Sequence, residues 1–377
     1  MRLLVTIAFG LILGSSLLSC LGTPEEEDRL DLWIGQMLMV GFRGTDLKQG
    51  DSFLQAVRDL HLGGVVLFDR DVPTQSPVRN IVSQQQIQKL TAQLQAVAEV
   101  PLLIAIDQEG GQIARLKARH GFSATPSQAE LGRWDDQERT RSSAREVGKL
   151  LASLGINLNF APVLDLAVNP DNPIIAALER SYGTDPDRVE RHARWTIQEF
   201  HRAGVLSAVK HFPGHGASKQ DSHLGLPDVT HLWSETELEP FRSLLSEQLP
   251  DLVMMAHLYN AQWDETYPAT LSSAVITGML RQQLGFEGVV VSDDMKMGAI
   301  AQNYSLEESI ELAVKAGVDI LLFGNNSSSF DPQIAQKAVT IIRKLVESGT
   351  LSRDRVQQSY QRISDLKKKL NRIDVNN

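Results

Sequence analysis

Short apolar runs alternate with amphipathic segments along most of the chain. There are eight such runs, and most are continuously apolar, which is typical of parallel strands that are covered on both faces. These predicted strands span residues 36–42, 63–68, 102–107, 157–165, 206–212, 252–257, 288–293 and 319–324. The segments between them show the spacing of surface helices. These predicted helices span residues 52–60, 78–97, 139–153, 187–203, 272–283 and 305–316.

Several predicted helices carry start and stop signals. Ser305 followed by Glu308 has the spacing of a capping box, and Gly204 and Gly317 lie where helix C-caps belong. Residues 331–370 supply two further helices that would complete the fold. Eight strand–helix units predict a closed (β/α)8 TIM barrel over residues 31–377, which leaves no room for a second large domain.

The amino terminus has the layout of a signal peptide. Arg2 precedes an apolar stretch, residues 3–18, that ends in Leu17-Leu18-Ser19-Cys20. This stretch is shorter than the ~20 residues that a membrane-spanning helix needs. Residues 17–20 resemble a bacterial lipobox, so residues 1–19 are predicted as a lipoprotein signal peptide and Cys20 as the site of lipid attachment. An ordinary signal peptide with an incidental cysteine remains the alternative.

The acidic segment that follows is predicted to be a tether. Residues 20–30 contain Thr23-Pro24-Glu25-Glu26-Glu27-Asp28, which suits a solvated connection between a membrane surface and a folded body. The expected location is therefore the cell envelope, with the protein lipid-anchored to a membrane outside the cytoplasm.

Composition excludes several kinds of function. The chain has 377 residues, 37 Lys and Arg against 46 Asp and Glu, and a net charge of −9 without a strongly basic run, so nucleic-acid binding is not expected. Its one cysteine excludes an intramolecular disulfide, a cysteine-rich zinc site and an iron–sulfur cluster. Mixed surface charge on a closed barrel predicts a monomer.

Polar residues collect where the apolar runs end. In a barrel of this kind the active site is built at the carboxyl ends of the strands. The ionisable residues at these ends are Asp107, Asp165, Lys210, His211, His257, Asp293 and Asp294. Each aspartate alone could cap a helix or close a turn, but so many charges at one face indicate a polar ligand.

The densest polar stretch is Lys210-His211-Phe212-Pro213-Gly214-His215-Gly216, followed by Asp221-Ser222-His223. Its proline and glycines exclude a helix, so the first two histidines cannot form the one-faced pair of a helical zinc site. A metal site built from His211, His215, Asp221 and His223 remains open at this point. Alternatively, Asp221 holds one imidazole nitrogen of His223 and makes that ring a proton shuttle. An ordinary exposed loop histidine is the third interpretation.

Three segments together resemble glycoside hydrolase family 3, in particular its bacterial β-N-acetylglucosaminidases. They are residues 210–223, Asp107-Gln108-Glu109-Gly110-Gly111 and Ser292-Asp293-Asp294-Met295, and the resemblance extends from about Trp33 to beyond Gly324. It implies a single catalytic barrel that removes non-reducing terminal β-linked N-acetylglucosamine with retention of configuration. The implied substrates are peptidoglycan fragments or chitooligosaccharides, and the implied reaction needs no cofactor and no metal.

The resemblance also implies roles for individual residues. Asp293 matches the family's nucleophile, and Asp221 with His223 matches its general acid/base pair. The residues that match the family's sugar-binding positions are Asp107, Arg115, Arg180, Lys210 and His211. Gln112 departs from the pattern, because many relatives carry arginine directly after the paired glycines.

Three other functions compete with this interpretation. They are a β-glucosidase or β-xylosidase of the same family, a non-catalytic lipoprotein that binds wall fragments, and a metal-dependent hydrolase. Two acidic neighbours of the implied site are expected to have supporting roles. Glu109 is expected to help place its loop, and Asp294 is expected to cap the helix after the seventh strand.

Overall fold

The structure, a computed structural model, describes residues 24–373. Each of the eight apolar runs contains one strand of a parallel sheet, as predicted. The strands are β1 (Leu38–Gly41), β2 (Gly64–Leu67), β3 (Leu103–Ile106), β4 (Leu158–Asn159), β5 (Leu206–Phe212), β6 (Leu252–Met255), β7 (Val289–Val291) and β8 (Leu321–Phe323).

The sheet closes into a barrel. Neighbouring strands pair in parallel in the order β8-β1-β2-β3-β4-β5-β6-β7, with Leu38 opposite Leu321 where the first and last strands meet. The remaining gap is closed by a parallel bridge between Val291 of β7 and Ile320, just before β8. Closure removes both sheet edges and confirms the predicted (β/α)8 TIM barrel.

Helices surround the barrel. They are α1 (Pro24–Gln36), α2 (Ser52–Asp59), α3 (Gln84–Val97), α4 (Gln128–Trp134), α5 (Gln137–Ser153), α6 (Pro186–Arg202), α7 (Glu239–Ser246), α8 (Gly298–Ala301), α9 (Leu306–Ala316), α10 (Ile334–Glu347) and α11 (Arg353–Ile373). Further elements are a π-helix, Ala274–Gln283, three 3₁₀ turns, Ala118–His120, Glu235–Leu238 and Ala269–Leu271, and a hairpin of Gln108–Gly110 with Ile113–Ala114.

The predicted helix ends are present, but only the Ser305 half of the predicted capping box forms, because the Glu308 side chain does not return a bond to the Ser305 N–H among the described contacts. The Ser305 hydroxyl accepts the N–H of Glu308, and Gly317 ends α9 with a φ of 122°. Gly204 directly follows Ala203, the C-cap residue of α6, and has a φ of 81°. Glycine adopts this left-handed region without the steric cost that a Cβ would add.

The amino-terminal helix and the fourth strand are among the segments that differ from the sequence-based expectation. The helix α1 begins at Pro24, inside the predicted tether, because Leu30 and Ile34 pack into the core and extend the folded body towards the amino terminus. The strand predicted over residues 157–165 is only two residues long, since Pro162 has no N–H to give to the ladder.

At the amino-terminal ends of the strands, buried hydrogen bonds of one lysine connect three segments of the chain. Lys367 of α11 donates from Nζ to Gln36 Oε1 at 2.7 Å and to the Gly63 carbonyl at 2.8 Å. Burial lowers the pKa of Lys367 to about 7. These bonds join the last helix to the chain just before β1 and β2.

Within residues 24–373, no helix is long and apolar enough to cross a membrane. The predicted signal peptide, residues 1–19, and Cys20 lie outside the described residues.

Candidate active site

A network of charged side chains lies at the carboxyl ends of β3 and β5. Asp107 accepts Lys210 Nζ on Oδ1 at 2.7 Å and Arg115 Nη2 on Oδ2 at 3.0 Å. Burial alone would raise the pKa of Asp107, but Lys210 and Arg115 outweigh it and hold the pKa below its usual value. Asp107 is therefore an ionised acceptor at neutral pH, suited to binding hydroxyl groups in pairs.

Glu109 connects this network to Arg180. Its carboxylate receives Lys210 Nζ at 2.7 Å and a two-pronged contact from Arg180, in which Nε and Nη2 each donate at 2.8 Å. The side chains of Glu109 and Lys210 are each only 2% exposed, so the ion pairs are shielded from solvent. The expected supporting role of Glu109 thus has a definite form: it orients two cations at once.

His211 is held in one tautomer. Asp165 Oδ2 lies 2.6 Å from His211 Nδ1, and Arg180 Nη2 donates towards His211 Nε2 at 3.2 Å. Because a guanidinium only donates, Nε2 must accept and Nδ1 must carry the proton. Asp165 also accepts the backbone N–H groups of His211 and His215, so this buried carboxylate fixes the turn between them.

Asp221 and His223 form the predicted pair. Asp221 Oδ1 accepts the backbone N–H of His223 at 2.8 Å and lies 2.7 Å from its ring Nδ1. The imidazole is 59% exposed, and its Nε2 is left open to a ligand or solvent. A carboxylate that holds Nδ1–H stabilises the protonated ring and fixes the direction in which Nε2 delivers a proton.

The loop of this pair is hydrogen-bonded to the turn that follows β7. The Ala299 N–H donates to the Ser222 carbonyl at 3.1 Å, and the Gly298 N–H donates to the His223 carbonyl at 3.2 Å. A Cβ on Gly298 would lie 2.6 Å from that His223 oxygen, so this approach requires glycine. His223 and the start of α8 are thereby positioned against each other.

Asp293 lies two residues after the end of β7, in surroundings that keep its carboxylate ionised. Its Oδ1 accepts the Asp294 N–H at 2.7 Å. Burial would raise the pKa of Asp293, but positive charge among the surrounding histidine rings, as on protonated His223, and the Asp294 N–H outweigh it and lower the pKa. The structure thus brings Asp293, His223 and His211, the residues predicted as nucleophile, acid/base and sugar-binding groups, to one site.

Asp294 does not cap α8, whose N-cap residue is Met297. Its Oδ1 accepts the N–H groups of Lys296 at 3.0 Å and of Gly324, after β8, at 2.9 Å. Burial raises the pKa of Asp294 to about 6. The side chain therefore joins the β7 turn to the last strand.

The alternative metal set does not assemble. His211 Nδ1 is occupied by Asp165, whereas Asp221 binds its own neighbour His223. Among residues 24–373, no group of three or more His, Cys, Asp or Glu side chains is arranged to hold a metal ion. The four residues instead belong to two separate hydrogen-bonded pairs and one buried ring.

That buried ring is His215, and a second buried titratable group lies close to the same segment. Neither nitrogen of His215 has a hydrogen-bond partner among the described residues, and burial lowers its pKa to about 4. Glu237 accepts the Gly216 N–H at 2.7 Å, while its Oε1 has no partner in the described part of the chain. Sequence reasoning did not find Glu237, because nothing around it in the sequence signals a buried carboxyl.

The five predicted sugar-binding residues form one continuous network through Glu109, as the preceding contacts show. Asp165 and His257 were recognised only as polar strand ends. Their position at a strand end was the signal that the sequence offered, but their partners come from distant segments of the chain.

Comparison with protein families gives a match over residues 29–366 to the glycosyl hydrolase family 3 N-terminal domain. The chain is 32% identical over 373 residues to beta-hexosaminidase A of Pseudoalteromonas piscicida, covering 89% of this chain and 60% of that protein. It is 32% identical over 342 residues to the beta-hexosaminidase of Idiomarina loihiensis, covering 86% of this chain and 97% of that protein. The chain thus spans less than two thirds of the first relative and nearly all of the second.

Solved structures give the same picture. A glycoside hydrolase family 3 beta-N-acetylglucosaminidase from Paenibacillus sp. str. FPU-7 superposes with a TM-score of 0.82 at 38% identity, covering 92% of this chain and 63% of that one. The beta-N-acetylhexosaminidase of Beutenbergia cavernae superposes with a TM-score of 0.76 at 30% identity, covering 90% and 98% of the two chains.

Proposed function

The chain belongs to glycosyl hydrolase family 3, and from this premise we propose that it is a retaining exo-β-N-acetylglucosaminidase. Its substrates are non-reducing terminal β-linked N-acetylglucosamine residues of peptidoglycan fragments or chitooligosaccharides. The observation that carries the proposal is the Asp221–His223 pair, hydrogen-bonded onto the turn that follows Asp293. Relatives named beta-hexosaminidase and beta-N-acetylglucosaminidase support the choice of substrate.

In the first step, Asp293 attacks the anomeric carbon. Oδ1 is held by the Asp294 N–H, which leaves Oδ2 as the attacking oxygen. The protonated His223 gives its Nε2 proton to the leaving oxygen while Asp221 stabilises the imidazolium through Nδ1. The glycosidic bond breaks, and a covalent glycosyl-enzyme intermediate remains on Asp293.

In the second step, the same histidine acts as a base. Neutral His223 takes a proton from water at Nε2, the water oxygen attacks the anomeric carbon, and the bond to Asp293 breaks. Two inversions at the anomeric carbon give retention of configuration. Throughout, Asp107 accepts hydrogen bonds from hydroxyl groups of the sugar, and Lys210 and Arg115 keep that carboxylate ionised and oriented.

Substitution of His223 tests the acid role. His223→Ala should slow natural oligosaccharides by ~10²-fold or more, but should slow the first step much less for a nitrophenyl β-N-acetylglucosaminide, whose leaving group needs little protonation. His231→Ala, on the same loop region and exposed, is the matched control. Equal slowing of both substrates would refute the acid role.

The choice of sugar is tested with the nitrophenyl β-glucoside. The N-acetylglucosaminide should be hydrolysed far faster than the glucoside, and a slow fluorinated analogue should label Asp293. Hydrolysis of the glucoside alone would support the β-glucosidase alternative. Binding of wall fragments without hydrolysis or labelling would support a non-catalytic binding protein, and loss of activity on chelation would support a metal-dependent hydrolase.

Location is part of the proposal. The lipobox-like residues Leu17–Cys20 support processing before Cys20, lipid attachment to its thiol and display of a monomeric enzyme at a membrane outside the cytoplasm. Cys20→Ser should move the protein from the membrane fraction to the soluble fraction. An unchanged membrane fraction would refute anchoring through this cysteine.

A further inference from the structure

His257 is a buried histidine that contacts the nucleophile's turn. It follows β6 and is fully buried. Its Nε2 lies 3.1 Å from the backbone carbonyl of Asp294, and its Nδ1 lies 2.8 Å from the Thr270 hydroxyl. The described charged groups that influence it are Asp293, His223 and His211.

The carbonyl partner determines the tautomer of His257. A backbone carbonyl can only accept, so Nε2 must carry a proton. Burial lowers the pKa of His257, which favours the neutral ring. Nδ1 faces the Thr270 hydroxyl, whose single proton is shared between this nitrogen and the Ala256 carbonyl, 2.8 Å from the hydroxyl oxygen.

This bond completes a set of contacts that fix Asp294 from three directions. Its N–H is held by Asp293 Oδ1 at 2.7 Å and its carboxylate by the N–H of Gly324 at 2.9 Å. Its carbonyl accepts from His257 at 3.1 Å and from the Met297 N–H at 2.9 Å. Because the Asp294 N–H is the hydrogen-bond donor to the Asp293 carboxylate, the orientation of Asp294 sets the orientation of the nucleophile.

An acid/base role for His257 does not fit this geometry. Its protonated nitrogen faces a backbone carbonyl, and its other nitrogen faces a hydroxyl, so the ring exchanges no proton with a sugar. Any fully buried ring needs hydrogen-bond partners, so what distinguishes His257 is that one partner is the carbonyl of the residue next to Asp293.

We propose that His257 is a positioning residue for the covalent step, holding the Asp294 carbonyl so that Asp293 presents Oδ2 to the anomeric carbon. This inference rests on the proposed function, since it concerns formation of the bond to Asp293. It predicts a defect in the rate of that step, with substrate binding little changed, because His257 has no contact with the sugar-binding network in the described residues.

Two amide variants separate the two ring nitrogens. The amide nitrogen of His257→Gln reaches the position of Nε2 and can still donate to the Asp294 carbonyl. The amide of His257→Asn reaches only the position of Nδ1 and keeps the contact with Thr270. Both variants place an amide in the same buried space, so they differ chiefly in the bond that the inference concerns.

The measurement is the rate at which a slow fluorinated N-acetylglucosaminide labels Asp293, followed by intact mass. We expect labelling by His257→Asn to fall ~10²-fold, as for a reacting atom displaced by about 1 Å, and that of His257→Gln to stay within ~10-fold of the wild type. The inhibition constant of free N-acetylglucosamine should change less than ~3-fold in both. Equal rates for the two variants, or a loss confined to binding, would overturn the inference.

A measurement on the wild-type protein keeps the test independent of variant folding. In ¹⁵N-histidine-labelled enzyme, His257 should show a protonated Nε2. The opposite tautomer would overturn the inference. Absence of any adduct on wild-type Asp293 would instead refute the proposed function, so the two failures are distinguishable.

Discussion

The buried carboxyl of Glu237 makes a quantitative prediction about stability and pH. Glu237 lies in the 3₁₀ turn Glu235–Leu238 and is fully buried, with Oε2 on the Gly216 N–H and no partner for Oε1 among the described residues. Burial, reinforced by the charge of Asp165, raises the pKa of Glu237 to about 8 from its ordinary value of 4.5. Folded protein at neutral pH therefore keeps this carboxyl protonated.

The sign of the effect follows from proton counting. Between about pH 4.5 and about pH 8 the unfolded chain has lost this proton and the folded chain has kept it, so the folded state binds more protons there. The free energy of unfolding must then fall as pH rises, by about 1.4 kcal/mol per pH unit from this group. Across the whole window the loss reaches about 5 kcal/mol, most of the stability of an ordinary domain.

Glu237→Gln removes the titration and keeps an oxygen that can accept the Gly216 N–H. We expect the free energy of unfolding of the variant, measured by urea denaturation with tryptophan fluorescence, to decline less steeply than that of the wild type from about pH 5 to about pH 8. The difference should grow with pH and favour the variant at the alkaline end.

The control is Glu235→Gln, in the same turn but with a 76% exposed side chain that pairs with Arg242. Its pH dependence should follow that of the wild type within error. If Glu237→Gln and the wild type decline in parallel, the buried carboxyl does not carry a raised pKa, and the reasoning from its burial is wrong.

Three further predictions concern other buried contacts. Burial lowers the pKa of Lys367 to about 7 from 10.5, so above pH 7 the unfolded chain binds a proton that the folded chain has lost. Wild-type stability should therefore gain from this group as pH rises from about 7 to about 10. Urea denaturation of Lys367→Met should show that gain abolished. Gly298→Ala, whose Cβ would lie 2.6 Å from the His223 carbonyl oxygen, should lower kcat on natural oligosaccharides ~10-fold, whereas Gly225→Ala, with open space around its Cβ, should leave it unchanged. Glu109→Gln removes the charge shared by two cations and should raise KM ~10-fold in steady-state assays, and an unchanged KM would contradict the supporting role of that carboxylate.

The strands of the barrel could be predicted from the sequence because most are continuously apolar runs and five of the eight end in ionisable residues. Prediction failed where a local signal was overridden. The run at 157–165 is apolar, yet Pro162 limits its ladder to two residues. The helix expected from residue 78 begins at Gln84, because Arg79 and Asn80 bury their side chains in contacts with the loops around them.

The candidate site, like the fold, could be predicted only in part from the sequence. Strand-end positions and the family resemblance pointed to the residues that lie together, such as Asp107, Lys210 and Asp293. Their partners could not be predicted, since Glu109 meets Arg180 across 71 positions and Asp165 meets His211 across 46. Such pairings depend on the order of strands around the barrel and produce no periodic pattern in the sequence.

The link between Asp294 and Gly324 has a consequence for synthesis of the protein. A nascent chain that has emerged only as far as β7 contains every residue assigned to bond making and bond breaking. The turn of the nucleophile is nevertheless incomplete until the amide after β8 arrives and the last strand joins the first. Catalysis should therefore begin abruptly when the barrel seam closes, so that the onset of hydrolysis in a translation time course marks the end of folding.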